Sequence, residues 1–511
     1  MRAKVIVNDF DIGDVYFVVI SKDLAKKLDI CSGCRVTLVI NERRLTAIAG
    51  ITNQLESTVV MPRSMYESLG CPKEVDVEPY LTPQSILLIK KKLRGGKLSY
   101  EEVFKIIKDV VDGVLTDVEI AAFISAQMSV GMDIQEMVYL TKAMVETGRK
   151  LRFDEPVYDI HSIGGVPGNS KVSIVAVPII ASAGVFIPKT SSRAITSPAG
   201  TADTMGVLAR VEYTEEEVLE LARKVNGFII WGGTLNLAPA DDILIRVEHI
   251  LRADPLAQMI ASILSKKLSM GVNYLLIDIP VGLGAKVESL EKGRELASLF
   301  TQVGQGLGLS IRCALTYGGQ PIGYAIGPAL EAKEAIETLL GKGPMSVTEK
   351  AISIAGLVLE MADVAPRGAG RDIAKEILSS GKAYQMFKRI IEAQEGDPNV
   401  KPEDIPIGKH KAEVRAPMDG YVTGVYNQPI TAIARAAGAP HDKGAGVKLH
   451  VKKGHKVKKG DVLMEIYSNS GVRLKEALKL VTKLKPITIE GMLLETYRSP
   501  RSDCLGCFRV V

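Results

Sequence analysis

The sequence predicts an α/β protein: a helical subdomain plus a large mixed α/β domain, with an N-terminal β-barrel-like domain and a C-terminal hammerhead-like β region. Three observations carry that expectation. From Val157 onward, short strand-like apolar segments alternate with helical stretches, the pattern of a mainly parallel sheet. Between Thr82 and Gly148 apolar residues instead recur with the roughly 3.6-residue period of amphipathic helices. Ahead of both, the chain echoes itself weakly. Val18-Val-Ile-Ser-Lys-Asp-Leu-Ala-Lys-Lys-Leu28 leads into Arg35-Val-Thr-Leu38, and Val59-Val-Met-Pro-Arg-Ser-Met-Tyr-Glu-Ser-Leu69 into Glu74-Val-Asp-Val77.

Each half of that echo reads strand, short helix, turn, strand, which predicts a small closed barrel of two interleaved halves over residues 1–81. It offers no catalytic cluster and is assigned to assembly or substrate closure. The helical subdomain, residues 82–150, carries capping boxes at Ser99-Tyr-Glu-Glu102 and Thr116-Asp-Val-Glu119. A long amphipathic helix between Asp254 and Gly271 is expected to return to it, so that about residues 240–270 join the helices and the cleft beside the sheet becomes the expected site. The central α/β phosphate-binding domain, residues 151–400, has strand candidates at Tyr158-Asp-Ile, Val185-Phe-Ile, Gly227-Phe-Ile-Ile, Tyr274-Leu-Leu-Ile-Asp and Ile311-Arg-Cys-Ala-Leu-Thr. In residues 401–511, Ala416-Pro-Met-Asp-Gly-Tyr-Val422 and Val451-Lys-Lys-Gly-His-Lys-Val-Lys-Lys-Gly-Asp-Val-Leu463 resemble the two halves of a biotinyl or lipoyl hammerhead. No Met-Lys-Met is present to carry a prosthetic group, so this region is read as structural.

Composition narrows the class. A chain of 511 residues accommodates about three domains of ~150. A net charge of +5 over this length does not suggest a nucleic-acid groove, though it suits anionic small substrates. Met1-Arg-Ala-Lys lacks a following apolar segment of signal-peptide length, which points to the cytoplasm. The apolar run from Val172 to Pro188 is short for a bilayer and broken by Pro178 and Gly184, so it is read as a buried helix followed by a strand, with no membrane partner. Two Cys-x-x-Cys pairs, Cys31/Cys34 and Cys504/Cys507, have zinc-ligand spacing but stand at opposite ends of the chain. They are read as turn residues and tail thiols, with metal binding and pairing both left open. Asp241 and Asp242, without further ligands at suitable spacing, are read as a solvated helix start rather than a metal pair.

The chemistry concentrates in Asp159-Ile-His-Ser-Ile-Gly-Gly-Val-Pro-Gly-Asn-Ser170 and Lys189-Thr-Ser-Ser-Arg-Ala-Ile-Thr-Ser-Pro-Ala-Gly-Thr201. The first reads as a strand, a turn freed by paired glycines, and a helix start with unpaired N–H groups, an arrangement that holds an oxyanion. The second adds two cations and several hydroxyls suited to phosphate oxygens. Either alone is an ordinary connection; together they imply a phosphorylated or phosphate-consuming substrate.

His161-Ser-Ile-Gly-Gly-Val, Lys189-Thr-Ser-Ser-Arg193, Ala199-Gly-Thr201, Ala261-Ser-Ile-Leu-Ser-Lys-Lys267 and Gly282-Leu-Gly-Ala-Lys286 resemble, in order, the motifs of the thymidine and pyrimidine-nucleoside phosphorylase family, from about Thr82 to the C-terminus. The added N-terminal barrel and Trp231-Gly-Gly-Thr-Leu-Asn-Leu-Ala-Pro-Ala-Asp-Asp242 look like its archaeal branch, the AMP phosphorylases. The resemblance implies phosphorolysis of nucleoside 5′-monophosphates, AMP and phosphate giving adenine and ribose 1,5-bisphosphate, with CMP and UMP as further candidates. It implies no cofactor beyond inorganic phosphate as co-substrate, and a homodimer or larger homo-oligomer. Carried over, Gly164, Ser191, Ser192, Arg193, Ala194, Ile195, Thr196, Thr201, Ser262 and Lys286 bind substrate, and Ser162, Lys189, Arg246 and Lys266 are further phosphate or base contacts. One departure is Ile160, where the nucleoside enzymes carry lysine, so Lys189 or Arg193 is expected to take over part of the phosphate. Asp254 is implied to give the leaving base its proton. From the residues alone, Asp254-Pro255 reads as an N-cap and N1 pair, which would depress its pKa and oppose that role. His161 is expected to be packed rather than a base, because phosphate needs no deprotonation at neutral pH. A thymidine or pyrimidine-nucleoside phosphorylase, and a non-catalytic carrier or scaffold suggested by the hammerhead, are the alternatives.

Overall fold

Arg2–Asn8 (β1), Phe17–Ser21 (β2), Arg35–Ile40 (β3), Arg43–Thr52 (β4), Thr58–Pro62 (β5) and Glu74–Pro79 (β6) close into a barrel in the order β1-β5-β2-β4-β3-β6. The expected interleaving is visible in the pairing: β1 runs parallel to β5 with Val5 opposite Val59, and β4 parallel to β2 with Ala49 opposite Val18. Val18, Leu38, Leu45, Val59 and Val77 fill its interior. These coordinates are a computed structural model describing residues 1–9, 16–40, 43–53, 56–80, 82–493 and 495.

The chain divides into two compact units. The first comprises Met1–Asp154, Leu235–Asn273 and Leu299–Ser310. Beside the barrel it holds the helices Gln84–Leu93, Tyr100–Val111, Asp117–Ser129 and Ile134–Glu146. Both expected capping boxes form: Glu102 receives the Ser99 amide at 2.8 Å, and Glu119 the Thr116 amide at 2.8 Å. Barrel and helices meet through Arg35, which pairs with Glu119 and donates to Thr116 Oγ1 at 3.0 Å. The later segment supplies two more helices, Pro239–Leu251 and Leu256–Ser269, the second tied back by the Leu151 amide donating to the Ser269 carbonyl at 2.8 Å.

The second unit holds the strands expected of the central domain, as Tyr158–Ser162 (β7), Ile187–Ser191 (β8), Gly227–Trp231 (β9), Tyr274–Val281 (β10) and Ser310–Tyr317 (β11, whose first residue lies in the other unit). Instead of one continuous sheet they form a three-stranded sheet, β11-β10-β7, and a parallel pair, β8-β9. β10 runs parallel to β7 and sets Asp278 beside Ser162. The apolar run is a buried helix, Ser170–Ser182 with Pro178 inside, leading into β8. No helix among the described residues is long and apolar enough to cross a membrane. In the C-terminal part, Ala325–Ile326, Gly446–Leu449, Val462–Ser468 and His410–Arg415 make one sheet, and Lys456–Val457, Gly420–Val425 and Ile487–Glu490 a second. The helices Asn427–Ala437 and Gly471–Leu484 share the apolar core with these sheets.

Cys31 and Cys34 do occupy the turn before β3, but they are joined in a disulfide, with 5.2 Å between their Cα atoms. Cys504 and Cys507 lie outside the described residues.

Candidate active site

In the second unit the loop after β7 forms the cradle. Gly164, Gly165 and Gly168 have φ of +79°, +89° and +81°, a region that residues with a β-carbon rarely enter. At Gly165 the requirement is also steric: a β-carbon there would lie 2.6 Å from the backbone nitrogen of Lys286. The sequence-predicted Gly164 and Lys286 are thus brought together through that glycine, with Lys286 exposed.

Ser162, at the end of β7, is held by a network unforeseen from sequence. Asn169 Nδ2 donates to its Oγ at 2.8 Å and to Asp278 Oδ2 at 3.1 Å. Asp278, buried on β10, also receives Thr316 Oγ1 at 2.5 Å and faces Lys350 Nζ at 3.0 Å. Burial pushes the Lys350 pKa below its ordinary value, and the Asp278 carboxylate only partly offsets this. The helix Ser170–Ser182 begins where expected, and Ser170 Oγ stands 3.1 Å from Thr204 Oγ1. Thr201 Oγ1 is 3.4 Å from the Ser170 carbonyl, so the two predicted loops adjoin.

The second loop, after β8, is shaped by Asp203, which accepts from the Ala194 amide at 2.7 Å and the Gly200 amide at 2.9 Å. Arg193 stacks over Trp231, 4.7 Å from the ring centre, and pairs with Glu212. Arg435 grips the loop from the helix Asn427–Ala437, donating to the carbonyls of Ile195 at 2.8 Å and Ser197 at 3.0 Å. Ser191 Oγ lies 3.2 Å from the Ser192 carbonyl, while Ser192 and Thr196 are exposed.

Two of the expected cations have protein partners. Lys189 is 3% exposed, its ammonium 2.7 Å from the Ile160 carbonyl and 3.8 Å from Asp159. It braces the strand behind the loop. Arg246 forms a bidentate pair with Asp117 at 2.7 and 2.9 Å. The pair is partly exposed on both sides.

In the first unit, Ser262 and Lys266 lie one turn apart on Leu256–Ser269, and both converge on Asp241 Oδ2, at 2.9 and 2.5 Å. Asp241 is fully buried, whereas Asp242 is exposed. The solvated-start reading fits Asp242 alone, because helix packing buries its neighbour. Burial acts to lower the Lys266 pKa, but the Asp241 carboxylate outweighs it and holds the ammonium's pKa above its ordinary value. Asp254 is exposed just ahead of this helix, and Pro255 takes the N-cap position with no side-chain cap. The expected N-cap role of Asp254 is therefore not the one the backbone adopts. Among the described residues no group of three or more His, Cys, Asp or Glu could hold a metal ion.

Three family profiles match in succession: a glycosyl transferase family helical bundle domain over residues 87–148, a glycosyl transferase family a/b domain over 154–384, and a pyrimidine nucleoside phosphorylase C-terminal domain over 421–488. The AMP phosphorylase of Pyrococcus furiosus is 50% identical, across 97% of this chain and 99% of its own. That of Methanocaldococcus jannaschii is 47% identical, across 96% and 98%. Among solved structures, the anthranilate phosphoribosyltransferase of Saccharomyces cerevisiae in complex with PRPP and Mg shares the fold at 14% identity, TM-score 0.50, over 61% of this chain and 99% of that one. With half of its residues shared along nearly the full length of such relatives, the chain belongs to the AMP phosphorylase family.

Proposed function

We infer that the protein catalyses phosphorolysis of nucleoside 5′-monophosphates, converting AMP and orthophosphate into adenine and ribose 1,5-bisphosphate, with CMP and UMP as further substrates. The observation that carries this reading is the near full-length identity to AMP phosphorylases, and the two-loop cradle supports it chemically. An oxygen of orthophosphate forms the bond to C1′ as the C1′–N bond breaks and its electron pair leaves with the base. Positive charge develops on the sugar between these events, and the adjacent phosphate stabilises it.

Ser162, whose oxygen accepts from Asn169, keeps its own proton to offer a phosphate oxygen. Gly164, Thr201 and Lys286 complete that side, and residues 191–196 hold the remainder of the substrate. Ser262 and Lys266 receive the base, and Asp254 gives it the proton it needs to leave. Asp254 is exposed, one residue ahead of Pro255, the N-cap residue of that helix. The reaction needs no cofactor beyond phosphate. Resemblance to the nucleoside phosphorylases supports a cytoplasmic homodimer or larger assembly, to be measured by light scattering.

Base release from AMP, CMP, UMP and thymidine, with and without phosphate and with a metal chelator, tests this reading. Phosphate-dependent, chelator-insensitive release from AMP but not thymidine is expected. Release from thymidine alone would make the chain a nucleoside phosphorylase, a reading that Ile160 in place of lysine disfavours.

A further inference from the structure

Asp241 takes its described partners from a neighbouring helix. The Ser262 hydroxyl donates to Oδ2 at 2.9 Å and the Lys266 ammonium lies 2.5 Å from the same oxygen. Oδ1 has no hydrogen-bond partner among the described residues. A buried carboxylate is costly unless paired, and here the pairing comes from the two groups assigned to the base. Both of those are partly exposed, while Asp241 behind them is not.

This pairing has a chemical consequence. A serine hydroxyl has one proton and two lone pairs, and a carboxylate has no proton to give. With its proton engaged by Asp241, Ser262 can meet a ligand only as an acceptor. Lys266, an ammonium without lone pairs, can meet it only as a donor.

We propose that Asp241 is a positioning residue that sets the polarity of the base half-site, fixing Ser262 as acceptor beside Lys266 as donor. Such a pair suits a purine whose edge offers an exocyclic amine next to an unprotonated ring nitrogen, as adenine does. It opposes the isosteric 6-oxo purine, hypoxanthine, whose carbonyl and ring N–H present the same edge with donor and acceptor exchanged; cytosine matches adenine and uracil matches hypoxanthine in this respect, so of the two pyrimidine nucleotides UMP is expected to be the poorer substrate. This inference rests on the AMP reading for which ligand enters, whereas the polarity itself follows from the contacts of Asp241.

The test compares AMP with IMP in kcat/KM, and adenine with hypoxanthine in calorimetric binding. The proteins are the wild type, Ser262→Ala, Asp241→Leu, which has no atom to accept the Ser262 proton, and the double variant, with thermal unfolding as a control for folding. The wild type is expected to favour AMP and adenine by at least about tenfold, because a site built to hydrogen-bond one edge leaves polar groups unpaired against the other. Each single variant is expected to bring the ratio within about threefold, and the double variant to lower it no further, since both changes remove one device. A merely structural role for Asp241 would depress both purines alike and leave their ratio intact, which would overturn the proposal. So would a wild type that treats the two purines equally. Should Asp241→Leu fail to fold, Ser262→Ala and the wild-type ratio decide the matter. Preference for adenine in binding without turnover of AMP would sink the functional reading and spare the polarity; equal turnover of AMP and IMP would do the reverse.

Discussion

A β-carbon placed on Gly165 would stand 2.6 Å from the backbone nitrogen of Lys286, so the cradle loop and the turn bearing Lys286 meet through the one residue that has no side chain. Gly165→Ala therefore faces two obstacles: its φ of +89° and a backbone atom that cannot swing aside. The φ alone costs an alanine about 1–2 kcal/mol. Displacing the Lys286 turn misplaces a proposed substrate contact, for which a fall in kcat/KM of roughly 100-fold is expected. Gly164→Ala provides the control, because it has the same kind of φ but nothing within 4 Å of the added carbon. Steady-state kinetics should rank it well above Gly165→Ala, and equal activity of the two would detach the loop from the substrate.

Asn169→Ala removes the donor that occupies the Ser162 oxygen. With only the long Gly164 amide contact of 3.4 Å left on that oxygen, KM for phosphate is expected to rise about tenfold, the scale of one hydrogen bond to a charged group, while KM for AMP moves less. A rise confined to AMP would assign Ser162 to the other end of the substrate.

Arg435→Ala deletes two hydrogen bonds to the carbonyls of Ile195 and Ser197. The loop it releases carries six of the expected substrate contacts, so KM for AMP should rise by roughly tenfold, about 1–2 kcal/mol of lost ordering, with kcat less affected. Unchanged kinetics would show that the loop keeps its shape without Arg435.

Glu465 gives a prediction in pH. Burial works to raise its pKa, yet hydrogen bonds from Lys411, Tyr467 and His450 outweigh it and bring the value to about 2, below the ordinary 4.5. A carboxyl depressed in this way stabilises the fold fully above its unfolded pKa, and that contribution fades as pH falls from 4.5 through about 2. Glu465→Gln should therefore lower Tm at pH 7 while losing less of it on acidification than the wild type does. Parallel Tm profiles would remove Glu465 from the acid response.

How far the sequence was legible depended on whether a signal was local. The capping boxes at Ser99 and Thr116, the buried helix from Ser170 and the interleaved barrel each follow from short-range patterns, and each forms. Burial is a property of partners far along the chain, and there the reading gave way. Lys189 and Arg193 look alike as cations near a phosphate motif, but β8 turns one against the Ile160 carbonyl and leaves the other stacked on Trp231. Asp241 and Asp242 share one helical turn, and only the packing of the helix twenty residues later distinguishes them. Asp203 carried a signal that could have been read, a carboxylate three residues after Gly200, at the position where it caps the loop.

Asp254→Asn keeps the size of the side chain but cannot give up a proton. Its kcat for AMP is expected to fall by about 100-fold or more, the range for a lost general acid, with KM nearly unchanged. A variant as fast as the wild type would remove Asp254 from proton transfer.

The most direct test of the phosphorolysis itself is 31P NMR of AMP incubated with orthophosphate and the enzyme. The expected result is a new anomeric phosphate signal, growing in step with free adenine while the 5-phosphate stays on the same sugar. Adenine released without that signal, or with ribose 5-phosphate in its place, would mean that water rather than phosphate attacks C1′ and would contradict the account.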